Sequence, residues 1–159
     1  MKKKFAFFLL ALFIGLISCS DADNPEIVNP EGTFIFGSYN GFCQGNCTHL
    51  FKYEEGEVFR DEMDKFEINK LMFSETSEAE LTTVAQRIFE ALPSVLTTST
   101  QETYGCPGCA DQSTLFVQMG LAEGTKTWYL DSFEQEDWPQ ELKDYVKLLV
   151  KELDTIIVF

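Results

Sequence analysis

The sequence predicts an α+β fold: a two-layer sandwich in which an antiparallel sheet of about five strands carries two helices on one face, in the order βββαββα. Three observations predict it. Short aromatic and β-branched runs separated by turn residues fill residues 33–60 and return at 113–131. Two stretches, beginning near Ser77 and Pro139, repeat apolar residues at helical spacing. The second of these follows a hairpin rather than a strand–helix–strand crossover, which argues against a doubly wound parallel sheet.

Thr33 to Tyr39 is aromatic and β-branched and reads as a strand. Asn40 to Asn46 is Gly-rich and reads as a loop. Thr48 to Glu54 alternates, with Leu50 and Lys52 on one side and His49, Phe51 and Tyr53 on the other. Glu55-Gly56 is a tight turn into a third strand, Glu57 to Arg60. Asp61 to Ser74 is mixed, with Phe66, Ile68 and Leu71 as expected core contacts. Ser77-Glu78-Ala79-Glu80 fits a capping box, in which Ser77 caps and Glu80 reaches back. Leu81, Val84, Ala85, Ile88, Phe89 and Leu92 then form one apolar face, and Pro93 ends or kinks the helix. Thr97 to Gly105 reads as a polar connection, and 113–131 as a hairpin around Ala122-Glu123-Gly124. Pro139 opens the last helix, whose buried stripe is Leu142, Tyr145, Val146, Leu149, Leu153, Ile156 and Ile157.

The N-terminus carries an address. Lys2, Lys3 and Lys4 precede an apolar stretch from Phe5 to Ile17, the pattern of a secretory signal peptide. That stretch is shorter than the about 20 apolar residues a membrane-spanning helix needs. Leu16-Ile17-Ser18-Cys19 resembles the lipobox of bacterial lipoproteins. The resemblance implies removal of residues 1–18 and acylation of Cys19, palmitate among the acyl groups, so that the membrane becomes a partner through the N-terminal lipid. Ser20-Asp21-Ala22-Asp23 is similar to the export signal of surface-exposed lipoproteins of Bacteroidota. The expected location is therefore the outer membrane, at the cell surface, with its periplasmic face as the alternative. Pro25, Pro30 and Gly32 mark residues 19–32 as lipidated cysteine plus flexible tether, leaving 33–159 as a single globular domain.

Charge narrows the partners. The chain has a net charge of −14, and removal of Lys2, Lys3 and Lys4 leaves nine basic against 26 acidic residues, a net of −17. Such a surface repels nucleic acid and anionic headgroups, so no nucleic-acid partner is expected. The remaining partner is an unidentified protein or small molecule.

Assigning Cys19 to lipid leaves four cysteines in two clusters, Cys43-Gln44-Gly45-Asn46-Cys47 and Cys106-Pro107-Gly108-Cys109. An even number in an exported domain predicts disulfides, with three pairings open. Crossed bridges would close the longer loops and stabilise by about 4 kcal/mol each on the chain-entropy model. No cofactor is needed in this reading. The alternative is zinc held by Cys43, Cys47, Cys106 and Cys109, with His49 as a further ligand, since thiolates at two turns can surround a tetrahedral ion. A thiol-redox role for Cys106 and Cys109 is a second alternative. It lacks the helix that stabilises a thiolate in thioredoxin-like sites, because Ala110-Asp111-Gln112 leads into an expected strand.

Phe36-Gly37 to Cys43 and Cys47, followed by Phe51-Lys52, resembles the start of small uncharacterised lipoproteins of Bacteroidota. Tyr104-Gly105-Cys106-Pro107-Gly108-Cys109-Ala110-Asp111-Gln112, an aromatic hairpin and a terminal helix continue that likeness over most of 33–157. Those proteins often carry an acidic residue where Gly108 stands. The resemblance implies fold and location, and no activity.

Catalytic signatures are sparse. His49 is the sole histidine, so a Ser-His-Asp or Cys-His centre would have to use it, and no nucleophile-elbow sequence accompanies it. The acidic groups Asp61, Glu62, Asp64, Glu67 and Asp131, Glu134, Glu136, Asp137 lack calcium-loop spacing and read as solvated loops. The reading favours a non-enzymatic binding domain; an exposed aromatic patch around Trp128, Tyr129 and Trp138 would support it, but most of these rings are expected to pack in the core.

Overall fold

A computed structural model describes residues 32–157 apart from 77–78 and 122–123. The expected signal segment, Cys19, most of the tether and the expected helix cap Ser77 lie outside the described residues. The strands are β1 (Thr33–Tyr39), β2 (Thr48–Glu54), β3 (Glu57–Asp61), β4 (Phe73–Thr76), β5 (Thr103–Tyr104), β6 (Thr114–Leu121) and β7 (Gly124–Asp131). The helices are α1 (Ala79–Glu90), α2 (Ser94–Thr98) and α3 (Gln140–Ile156), and 3-10 turns occupy Ile68–Lys70 and Cys109–Asp111.

Among the described residues the seven strands form one sheet in the order β4-β3-β2-β1-β6-β7-β5. All neighbours are antiparallel except β5, which runs parallel to β7. The α+β sandwich is the one the sequence predicts, but it has two further strands, and the sheet is mixed. Both additions are edge strands, of four and two residues, too short to display an alternation. Pro93 ends the first helical run, as expected, but the chain enters α2 at once rather than a loop. Pro93 itself takes the extended conformation that precedes a first helical turn.

Register decides which side of the sheet becomes the main core. Phe36 lies opposite both Phe51 and Val117, and Phe34 opposite Met119, so these side chains share a face. They join Trp128, Leu130 and the inward stripes of α1 and α3 in one buried cluster. The phenylalanines stack along it, with Phe34–Phe36 and Phe36–Phe51 ring centroids 5.6 and 5.5 Å apart. Ile35, Leu50 and Phe116 face the other way, beneath the segment between β3 and β4, whose Met63, Phe66 and Leu71 pack on them. Ile68, expected in the core, is instead exposed on its 3-10 turn.

Two turns fix the sheet. Glu55 and Gly56 both have positive φ, 52° and 86°, the conformation of a two-residue hairpin loop that matches strand twist. Gly37, at φ 150°, lets β1 approach β2 closely, since a Cβ there would lie 2.1 Å from the His49 carbonyl oxygen. Asp61 ends β3 by accepting from the amides of Leu50 (2.6 Å) and Met63 (3.0 Å), which pins the covering segment to β2. Burial raises the Asp61 carboxyl above its usual range, and these two amides oppose the shift.

Candidate functional site

Both cysteine loops lie at the same end of the sheet. β1 delivers Ser38 and Tyr39 there, β2 leaves it with Thr48 and His49, and the intervening loop is closed by a Cys43–Cys47 disulfide with Cα atoms 5.8 Å apart. Asn40 N–H donates to the Cys47 carbonyl at 2.9 Å, which extends the β1–β2 ladder into the loop. The Asn40 side chain accepts from Phe42 N–H at 2.9 Å and donates through Nδ2 to the Asp111 carbonyl at 3.0 Å. Cys47 N–H donates to the Asp64 carbonyl, so the loop is also tied to the segment beneath the sheet.

The second loop is bridged by Cys106–Cys109, with Cα atoms 5.6 Å apart. It is held chiefly by Asp131, at the end of β7. This buried carboxylate accepts from Cys106 N–H (3.0 Å), Gln112 Nε2 (2.9 Å), Phe133 N–H (2.9 Å) and Gln135 Nε2 (3.2 Å). A carboxylate offers about four lone-pair sites, and four donors fill them. Gly105, at φ 74°, passes so close that a Cβ would lie 2.6 Å from Asp131 Cβ.

Between these loops and the last turns of α3 lies a cleft of about 510 Å³. Ser38 and His49, directly opposite in the β1–β2 register, form part of its floor. Gln112, Ser113 and Ser132 contribute from the second loop and the end of β7, and Val150, Leu153 and Asp154 from α3. Phe133 stands at its rim, 66% exposed, and Phe42, 73% exposed, projects from the first staple loop. A smaller hollow of about 240 Å³ lies against the same staple, lined by Tyr39, Asn40, Lys65 and Phe66. The Tyr39 and Phe66 rings stack at 3.9 Å and 6°. Burial pushes the Tyr39 phenol up, while its hydrogen bond with Thr114 opposes the shift.

The expected site residues meet different fates. Cys19 lies outside the described residues. Cys43 with Cys47 and Cys106 with Cys109 pair locally, not across. The link between the two loops is made by the Asn40 amide. His49 shares the cleft with Cys43 and Cys47 but not with Cys106 or Cys109. Among the described residues no three His, Cys, Asp or Glu side chains gather to hold a metal ion, so the alternative ligand set is not brought together. Cys109 opens a three-residue 3-10 turn rather than an α-helix. Trp128, Tyr129 and Trp138 form no exposed patch, and most of these rings pack inward as expected. Trp128 and Trp138 are buried, and Tyr129 is half-buried on the opposite sheet face.

Phe133, Asp154 and Ser38 carry no motif. The signal for Phe133 was a large aromatic in an otherwise acidic, turn-rich stretch, Asp131 to Asp137, where nothing in the pattern calls for one. No protein-family model matches the chain, and no curated protein or solved structure matches it.

Proposed function

We propose that this chain is a lipid-anchored outer-membrane lipoprotein displayed at the cell surface, acylated on Cys19, and that it acts as a non-enzymatic binding module through the stapled cleft. The observation that carries the reading is the polarity of β1. The tether joins the domain at Thr33, and the cleft lies at the Ser38–Asn40 end of the same strand, about 20 Å away at 3.3 Å per residue. A tether entering at Thr33 leaves the cleft at the opposite end of the sheet from the anchor. Two short disulfides and the Asp131 network fix its walls, which lowers the ordering cost a ligand would otherwise meet. The negative charge keeps the domain off anionic headgroups.

Four measurements test it. Metabolic labelling with an alkyne fatty acid should tag the wild type and not Cys19→Ala, and protease added to intact cells should remove the domain. An unlabelled wild type sinks the anchor. Fragment screening by thermal shift should yield hits weakened by Phe133→Ala, and a domain without such hits is not a binder through this cleft. Thiol titration of the folded protein should find none free. Four free thiols with stoichiometric zinc would overturn the disulfide assignment in favour of a metal centre.

A further inference from the structure

We infer that the cleft takes a neutral, hydroxyl-rich ligand of one or two rings, a saccharide unit, an inference that rests on the cleft being a binding site. Among the described residues that line the cleft there is no Lys or Arg, and the His49 imidazole is the one basic side chain, so a carboxylate or phosphate would meet no permanently charged cation. The net charge of −14 adds long-range repulsion. An anionic ligand is the worst fit.

The polar groups are mostly neutral. Ser38, Ser113 and Ser132 offer hydroxyls that both donate and accept, Gln112 offers its amide oxygen, its Nε2 being held by the Cys106 carbonyl and Asp131, and Asn46 offers its Nδ2, its Oδ1 accepting from Thr48 N–H. The ligand that satisfies such a wall carries donor and acceptor on the same atom, which is what a hydroxyl does. Asp154 adds a carboxylate whose two oxygens can accept from two neighbouring hydroxyls, the charge-assisted form of that bond. Facing these groups are Val150, Leu153 and Ile157, with the Phe133 ring at the rim. One polar edge opposite one apolar face suits a pyranose, whose ring C–H groups form an apolar patch and whose hydroxyls ring its edge. The volume is within the range of small-molecule sites.

An organic cation is the rival, because Asp154 could pair with an ammonium. Cation recognition of that kind draws on several aromatic faces. Here the rings at the cleft are Phe133, the His49 imidazole and Tyr39, and Tyr39 is already stacked on Phe66, so no cage of aromatic faces forms.

The test is saturation-transfer NMR on the lipidated full-length mature protein in nanodiscs. Glucose, galactose, mannose, N-acetylglucosamine and their β-linked disaccharides are the probes, with tetramethylammonium and acetate alongside. At least one sugar should receive saturation on its ring protons. Phe133→Ala and Asp154→Asn should each weaken its binding by about tenfold. Both side chains are exposed, so neither change removes core packing, and unchanged unfolding temperatures confirm it. Signal from tetramethylammonium or acetate without any sugar overturns the ligand class and leaves the cleft as a binding site. Sugar signal indifferent to both substitutions places the sugar elsewhere and overturns the inference. Silence from every probe, together with the absence of fragment hits, overturns the binding reading as well.

Discussion

Asp131 is the residue on which the cleft end of the molecule depends. Its carboxylate sits in the 3% exposed class yet answers four donors from two loops. Asp131→Asn would keep the shape but turn one acceptor edge into a donor facing N–H groups. The expected loss is about 2–4 kcal/mol, read as a lower unfolding temperature, with the amides of Cys106 and Phe133 exchanging faster than in the wild type. Stability within 0.5 kcal/mol of the wild type would show the network to be incidental. Nothing in the sequence separates Asp131 from Glu134, Glu136 and Asp137. A carboxylate is read as solvated by type, and only the wrapping of two loops makes this one a buried acceptor. The core holds the opposite case. Tyr145 Oη is buried, with no hydrogen-bond partner among the described residues, and burial pushes its phenol far up. With the folded pKa raised, ionisation favours the unfolded state, so stability is level below the unfolded value, about 10, and falls as pH rises beyond it. Tyr145→Phe should therefore be neutral or slightly stabilising at pH 7. It should also flatten the fall in stability above pH 10, measured by denaturant unfolding across that range. A variant as alkali-sensitive as the wild type would contradict the assignment.

At the scale of elements, α1 and α3 were the most legible parts of the fold. Each is long enough for several turns of apolar spacing to accumulate, and the stripes that spacing marks are the ones buried in the core. The short pieces were illegible for the converse reason. β5 is placed by the Tyr129 N–H reaching the Glu102 carbonyl at 2.8 Å, and the end of α2 by Lys126 Nζ on the carbonyls of Thr97 and Ser99. Those are tertiary bonds, and no local pattern announces them. One contact between the long helices also escapes the amphipathic pattern. Glu152 lies on the buried side of α3, its side chain 5% exposed, and pairs with Arg87 Nη1 of α1 at 2.5 Å. Arg87→Met would leave that carboxylate buried and unpaired. Because Arg87 is half exposed and partly screened, the cost should be about 1–3 kcal/mol rather than the full value for a wholly buried pair. Adding Glu152→Met should recover most of it in equilibrium unfolding. A double variant no more stable than Arg87→Met would mean that the helices depend on the ion pair itself rather than on its compensation.

For the whole molecule, the sheet order brings both cysteine loops to one end, a relation that sequence could not supply. The two clusters are some 60 residues apart, and three pairings were open. The chain folds so that β1 and β6 are neighbours, which sets the end of one loop beside the end of the other. The long-range tie among the described residues is then the Asn40 amide hydrogen bond, while each disulfide closes only its own loop and is worth about 2 kcal/mol on the chain-entropy model. The same topology gives the proposed anchor a directional consequence. Thr33 pairs with Glu54, so the Glu55–Gly56 hairpin turn lies at the end of the sheet where the tether joins, and Phe42 lies at the other. In the acylated protein on a bilayer, the turn should face the headgroups and Phe42 should face away. Glu55 and Phe42 are both exposed, so a fluorophore on a cysteine at either position leaves the fold intact. With dark-quencher headgroups in the vesicle, quenching should be clearly stronger at Glu55→Cys than at Phe42→Cys, as expected for sites separated by about 20 Å along β1. Equal quenching would mean that the tether lets the domain tumble or lie flat. The cleft would then owe its access to tether length, and shortening residues 24–30 would close it.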